Sequence, residues 1–213
     1  MDTPQQHIRG GLLIVFEGMD GVGKTTQLQL VEKQLEARGV LVKTKRSPGG
    51  TPIGEALRSV LLQDIPRPPM TDLYIALAIQ EALHEAIAEN RQAGNVILLD
   101  RSPLSIAAYQ IYGSGIDETL GWNYIDKYMK LLRPDLVIVY TCPPEEALVR
   151  AQQKPTAGDY FESMPLDYFK RVAQGYEAAL QRYPSLVIDA SKPVESVQAQ
   201  TMSHIDQLLG KQG

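Results

Sequence analysis

Cysteine occurs once in the 213 residues, at Cys142, so the chain can form neither an internal disulfide nor a cysteine-ligated metal cluster, which suits a reducing compartment. Histidine is nearly as scarce, and His7, His84 and His204 lie too far apart to share a ligand spacing. No apolar run approaches the ~18 residues of a membrane-spanning helix, and the N-terminal MDTPQQHIRGG lacks the apolar core of a secretion signal; the expectation is a soluble, cytoplasmic protein without a membrane partner. Excess positive charge is missing too. With 21 Lys and Arg against 25 Asp and Glu, the net charge of -4 sets up no global field for nucleic acid, so any basic group that matters acts locally. There are no internal repeats, low-complexity tracts or long linkers, and the length suits one domain, 1–213, with a small lid at most.

Against these absences stands one dense stretch. LLIVFE at 12–17 is an apolar strand run, GMDGVGKT at 18–25 follows it, and Leu28, Leu30, Val31 and Leu35 then form a helical apolar stripe. Gly18 and Gly23 frame G-x-x-x-x-G-K-T, a spacing at which consecutive backbone N–H groups face one concavity at a helix N-terminus and hold phosphate oxygens. Gly21 adds a position free to take positive φ. Lys24 is placed to reach the β and γ phosphates, and the Thr25 hydroxyl to ligate Mg²⁺. The strand before the loop and the helix after it turn a short pattern into a nucleotide site with an implied metal.

Apolar runs and helical patterns alternate along the rest of the chain: VLVKTKR at 40–46, helices to about 93, NVILLD at 95–100, DLVIVY at 135–140 and SLVID at 185–189, with helices between them. Five buried strands separated by helices predict an α/β fold of the P-loop NTPase type, a five-stranded parallel sheet between two helical layers, with ligands at the carboxyl ends of the strands. Arg46 leaves the second strand into SPGG, where it either meets a phosphate or is a solvated charge; its place beside the phosphate loop favours phosphate. Asp100 closes the third strand as a Walker-B carboxylate that reaches the metal shell. Arg101 beside it either clamps a second phosphate with its planar fork or neutralises its neighbour. Ser105, Tyr109 and Gln110 follow at spacings that line one side of a cleft. Residues 70–93 are apolar nearly all round the first three turns, which predicts burial on more than one side and a homodimer interface. The stretch KPTAGDYFESMPLD, with two prolines and a glycine, predicts a lid at about 151–164. Arg150 and Lys154 at its start are either lid cations or charges favoured by a helix C-terminus.

The segments VFEGMDGVGKTTQ, RSPGGTP, LLDRSPLSIAAYQ, PDLVIVY with PPEEALVRA, DYFE, LDYFKRV with GY, and VIDAS, in this order over about residues 11 to 208, resemble the thymidylate kinase family, whose members phosphorylate dTMP with ATP. The resemblance implies that Gly18, Met19, Asp20, Gly21, Val22, Gly23, Lys24, Thr25 and Thr26 hold ATP, with Ser191 beside the adenine. It implies that Arg46 and Arg101 grip the acceptor phosphate, that Asp20 lies near the acceptor sugar and phosphate, and that Asp100 lies near the metal. Ser105 and Gln110 would touch the base or its ribose, with Pro48 and Tyr109 in the same acceptor site. The candidate catalytic residues are then Lys24, Arg101 and Asp20, with Arg150 added from its own place at the start of the lid rather than from the resemblance.

Three places depart from the family pattern. Counted back from Asp100 without a gap, the family's base-reading Arg falls on Ile79 and its base-stacking Phe on Ile75, so an apolar wall and a relaxed base preference are expected. The family's D-R-F-E reads Asp159-Tyr160-Phe161-Glu162. The residue after Asp-Arg is Ser102, as in deoxynucleoside kinases, whose acceptor is an uncharged hydroxyl; Arg46 in R-x-P-G-G-T favours a monophosphate. A monophosphate kinase of relaxed specificity, a deoxynucleoside kinase, and an NTP-binding switch without transfer activity stand as alternatives.

Overall fold

Five parallel strands form one sheet in the order β2-β3-β1-β4-β5: β1 is Leu12–Glu17, β2 Val42–Arg46, β3 Val96–Asp100, β4 Leu136–Thr141 and β5 Leu186–Asp189. The computed structural model describes residues 10–153, 161 and 163–210. β1 is buried along its whole length, so both faces of the sheet centre are covered, as parallel sheets require. The edges differ from the expectation of five buried strands. Lys43 and Thr44 of β2 and Val187 of β5 are exposed, because an edge strand has a neighbour on one side alone.

One helical layer contains α1 (Lys24–Ala37) packed on α8 (Val194–Gly210). The other contains α3 (Pro69–Gln92), α5 (Glu118–Leu132) and α7 (Leu166–Arg182), joined to α2 (Pro52–Leu61) and α6 (Pro144–Gln152). Between β3 and α5 the chain makes one short turn, α4 (Leu104–Ile106), and then a π-helical turn, Ala107–Gly113. Against that turn α7 packs closely, with Gly175 over Ala108 where a Cβ would collide with the backbone. None of the described helices is long and apolar enough to cross a membrane.

The apolar wrap of α3 is largely satisfied within the chain: Leu73, Leu77, Leu83 and Ile87 are buried, with α2, α5 and β3 against the helix. Two polar side chains share that buried surface, Asp72, which pairs with Arg67, and Gln80. Tyr74 is the large apolar side chain of α3 that stays exposed, at 59%.

Register fixes the rim of the site. Phe16 and Arg46 both lie level with Asp100, so Glu17, Arg101 and Ser47 leave three adjacent strand ends side by side. Of the predicted lid, Lys154, Asp159, Tyr160 and Glu162 lie outside the described residues.

Candidate active site

The turn from β1 into α1 is built from backbone. Gly18 has φ +135° and Gly21 φ +85°, and a Cβ on either would collide with the carbonyl oxygen of Tyr140 or of Ala147, so a side chain at these places would push the loop off β4 and α6. Met19 and Val22 are buried and anchor the loop, while Gly23 and the hydroxyl-bearing Thr25 and Thr26 face the cleft. Lys24 is buried beneath it with Nζ donating to the Met19 carbonyl at 2.8 Å. Burial, and then the nearby charge of Arg101, lower its pKa to about 8 from the usual 10.5.

Thr25 Oγ1 lies 3.4 Å from Asp100 Oδ2, and Asp100 Oδ1 is buried with no hydrogen-bond partner among the described residues. Mg²⁺ is ordinarily held by one or two protein oxygens plus substrate phosphates and waters, so one orphaned carboxylate oxygen beside one hydroxyl is the donor set it needs. A cluster of three or more ionisable ligands, which would suit a resident metal, is absent among the described residues.

Arg101 follows Asp100 in a left-handed backbone conformation, φ +68°, which turns its side chain back over the loop. Its Nη2 pairs with Asp20 and donates to Tyr109 Oη at 2.9 Å; its Nη1 donates to Tyr176 Oη at 2.9 Å, Gly18 O at 3.1 Å and Ser105 Oγ at 3.2 Å. Tyr109 Oη in turn donates to Asp20 Oδ2 at 2.6 Å, with its ring under the guanidinium. Burial pulls the Arg101 pKa down, but the charge of Asp20 and the flanking acidic groups outweigh it, so the group is held charged.

Beneath this layer lies Glu17, fully buried. Its Oε1 accepts from Ser102 N at 2.6 Å and Ser102 Oγ at 2.8 Å; its Oε2 accepts from Ser105 Oγ and Tyr176 Oη, each at 2.9 Å. Neither Glu17 nor Tyr176 was assigned a role from sequence. The available signal was a carboxylate closing the most apolar strand of the chain, which cannot stay charged in a core without donors around it. Ser102, the residue shared with deoxynucleoside kinases, has its side chain turned into this core contact.

Across the cleft Arg46 pairs with Glu55 through two bonds, Nε to Oε1 at 3.1 Å and Nη2 to Oε2 at 2.6 Å, with its side chain 54% exposed. The cleft encloses about 690 Å³ and runs from the phosphate loop past Arg46, Pro48 and Arg101 to Ser105, Tyr109 and Gln110. Phe161 closes it with its ring edge-on to Tyr109, centroids 5.6 Å apart.

Beyond the loop, the expected positions Ile75, Ile79, Arg150 and Ser191 do not line this cleft. Ile79 is fully buried and Ile75 is half-buried against the core; neither lines the cleft, and the residues of α3 that do are Ala76 and Gln80. The expected apolar wall is therefore corrected: each α3 residue is turned about 100° from the next, so a shift of one position selects a different face. Arg150 does not line the cleft either. Glu146, one turn earlier on α6, captures its Nη2, and its Nη1 donates to Ala190 O at 2.9 Å. That contact puts Arg150 next to Ser191, whose Oγ and N both bond Asp189 Oδ1, at 2.6 and 3.0 Å.

Known proteins are similar to this chain in sequence and fold. The model of the family described as thymidylate kinase matches residues 16–201. A thymidylate kinase of Nostoc punctiforme is 39% identical over 197 residues, covering 89% of this chain and 92% of its own. One of Alkalilimnicola ehrlichii is 34% identical over 192 residues, covering 88% of each. The crystal structure of thymidylate kinase from Ehrlichia chaffeensis superimposes with a TM-score of 0.71 at 25% identity, over 92% of this chain and 99% of that one. With the matched region spanning the phosphate loop, the Asp100-Arg101 strand end and both sides of the cleft, the chain belongs to the thymidylate kinase family.

Proposed function

We propose that the protein transfers the γ-phosphoryl group of ATP to the 5′-phosphate of dTMP. A phosphate oxygen of dTMP bonds the γ phosphorus while the bond to the β–γ bridging oxygen breaks, giving dTDP and ADP. The observation that carries this reading is one cleft lined both by the phosphate loop and by a second cationic group, Arg101 and Arg46 from neighbouring strand ends. Two anions must be brought into line, so positioning and charge neutralisation do the work without a covalent intermediate. Lys24 holds the donor's β and γ oxygens, and Arg101, oriented by Asp20, Tyr109 and Tyr176, holds the acceptor phosphate, with Arg46 closing on it from the other rim. Thr25 and Asp100 would hold Mg²⁺, which would supply neutralisation of the phosphate charge when bound.

The test is to supply purified protein with MgATP and dTMP or thymidine and to separate the products. dTDP is the expected product; phosphorylation of thymidine alone would make it a nucleoside kinase, and ATP turnover blind to both acceptors would make it a switch. The burial of Ser102 Oγ against Glu17 supports the monophosphate reading.

Two further parts of the reading are a cytoplasmic setting, supported by the single cysteine, and a homodimer. Tyr74, Ile65 and Val60, 59%, 49% and 42% exposed on and between α2 and α3, support self-association there. Light scattering on wild type and Tyr74→Glu checks it: a dimer converted to a monomer is expected, and a monomeric wild type would remove the idea.

A further inference from the structure

Gln80 lines the cleft although it is only 3% exposed. Its Nε2 donates to Ser47 Oγ at 2.7 Å, and its Oε1 is buried with no hydrogen-bond partner among the described residues. An amide oxygen withdrawn from water without a partner destabilises the free protein. One placed at a cavity wall is explained by a ligand that pairs it. The surroundings describe that ligand: Ala76 one turn earlier on α3, Leu61 and Leu62 at the end of α2, and Ile106 beyond β3 line the same cleft. Apolar side chains lining a cleft with a buried amide in its wall suit a flat ring bearing a polar edge.

We infer that Gln80 reads the nucleobase of the acceptor, an assignment that rests on the monophosphate kinase reading above. Its Oε1 accepts the N3–H of thymine, and the Nε2 hydrogen not given to Ser47 donates to the adjoining O4. A carboxamide carries an acceptor and a donor side by side, which is the complement of the N3–H and O4 edge. Ser47 Oγ accepts from the amide nitrogen at the strand end next to Arg101. Uracil has the same edge and pairs equally; cytosine presents an acceptor at N3 and a donor at C4, the reverse order, so it makes both bonds only if the amide is turned over. Base preference is thus set by a hydrogen-bonding side chain on α3, not by the cleft's apolar residues.

The test compares wild type and Gln80→Leu on dTMP and on the dTMP analogue with C–H in place of N3–H. Wild type is expected to lose about 10- to 100-fold in kcat/KM on the analogue, as for one lost buried hydrogen bond. Gln80→Leu is expected to lose as much on dTMP, to treat dTMP and the analogue alike, and to keep its KM for ATP within about two-fold. Gln80→Met supplies the same readout should the leucine variant fail to fold. If a folded variant at position 80 still separates dTMP from the analogue as wild type does, or if that separation is abolished by Gln110→Leu alone, Gln80 is not the reader. A wild type inactive on every nucleoside monophosphate would overturn the kinase reading, and this inference with it.

Discussion

Arg46 and Arg101 leave neighbouring strand ends almost level with each other, yet one is bound into the protein and the other lies on its rim. The side chain of Arg101 is 12% exposed and its guanidinium bonds Asp20, Tyr109, Tyr176, Ser105 and the Gly18 carbonyl; that of Arg46 is 54% exposed and paired with Glu55. A buried cation among satisfied partners is oriented before the acceptor arrives, so little ordering is left for the bound state. An exposed pair is worth about 0–1 kcal/mol, so Arg46 can release its carboxylate for a phosphate at small loss. The same residue type thus serves as a fixed post on one rim and a movable arm on the other.

Arg101→Ala should show the largest effect. It removes the half-buried cation paired with Asp20, and breaking a buried pair costs about 3–5 kcal/mol, so stability and transfer should fall together. The expected drop in melting temperature is about 6–20 °C, with kcat/KM for dTMP down about a hundredfold or more. A variant that melts like wild type would show that the post is not part of the fold and end the distinction. Arg46→Ala should lower kcat/KM for dTMP by about tenfold, through loss of one charge-assisted contact, with the melting temperature unmoved.

Lys24 sharpens the contrast, being a buried cation without a carboxylate paired to it. Burial drops its pKa to about 8, whereas Asp20 holds Arg101 up. The unfolded chain keeps that proton up to about 10.5, so between pH 8 and 10.5 it binds more protons than the native protein, and Lys24's contribution makes the free protein more stable as pH rises. ATP must restore the proton, so its affinity should fall with rising pH above about 8, steepening toward tenfold per unit. Calorimetric titrations with ATP at pH 7 to 9.5 measure this; a flat affinity would mean that Lys24 stays charged in the free protein. The smallest effect is expected from Glu55→Gln, which loosens the carboxylate's hold on Arg46. The KM for dTMP should drop about two-fold, and a rise would mean that Glu55 steers Arg46 instead of competing for it.

Much of this geometry is legible in the chain. The phosphate loop, the five strands and the Asp100-Arg101 strand end stand where local pattern places them, because each is decided by residues a few positions apart. The inner layer is not legible, since Glu17, Ser102, Ser105 and Tyr176 come from three distant segments and only folding makes one carboxylate the shared acceptor. Helix α3 fails for a different reason. Apolar residues nearly all round it erase the periodic stripe that would mark its faces, so counting put Ile75 and Ile79 in the site where the fold puts Ala76 and Gln80. The lone glutamine among those aliphatics was the clue available.

The π-helical turn at Ala107–Gly113 closes its rings from residue i to i+5, so it contains a residue that an α-helix would not accommodate. Tyr109, whose hydroxyl meets Asp20 at 2.6 Å, and Gln110 both sit in that stretch. Deleting one alanine ahead of Tyr109 would let the turn relax toward α and swing the phenol by about 100° around the axis, off Asp20 and Arg101. The segments before Leu104 and after Asp117 would need no change. A single codon gained or lost here is therefore a phase adjustment, by which a lineage can re-aim the acceptor side of the cleft while the glycine loop and the sheet pass on unaltered.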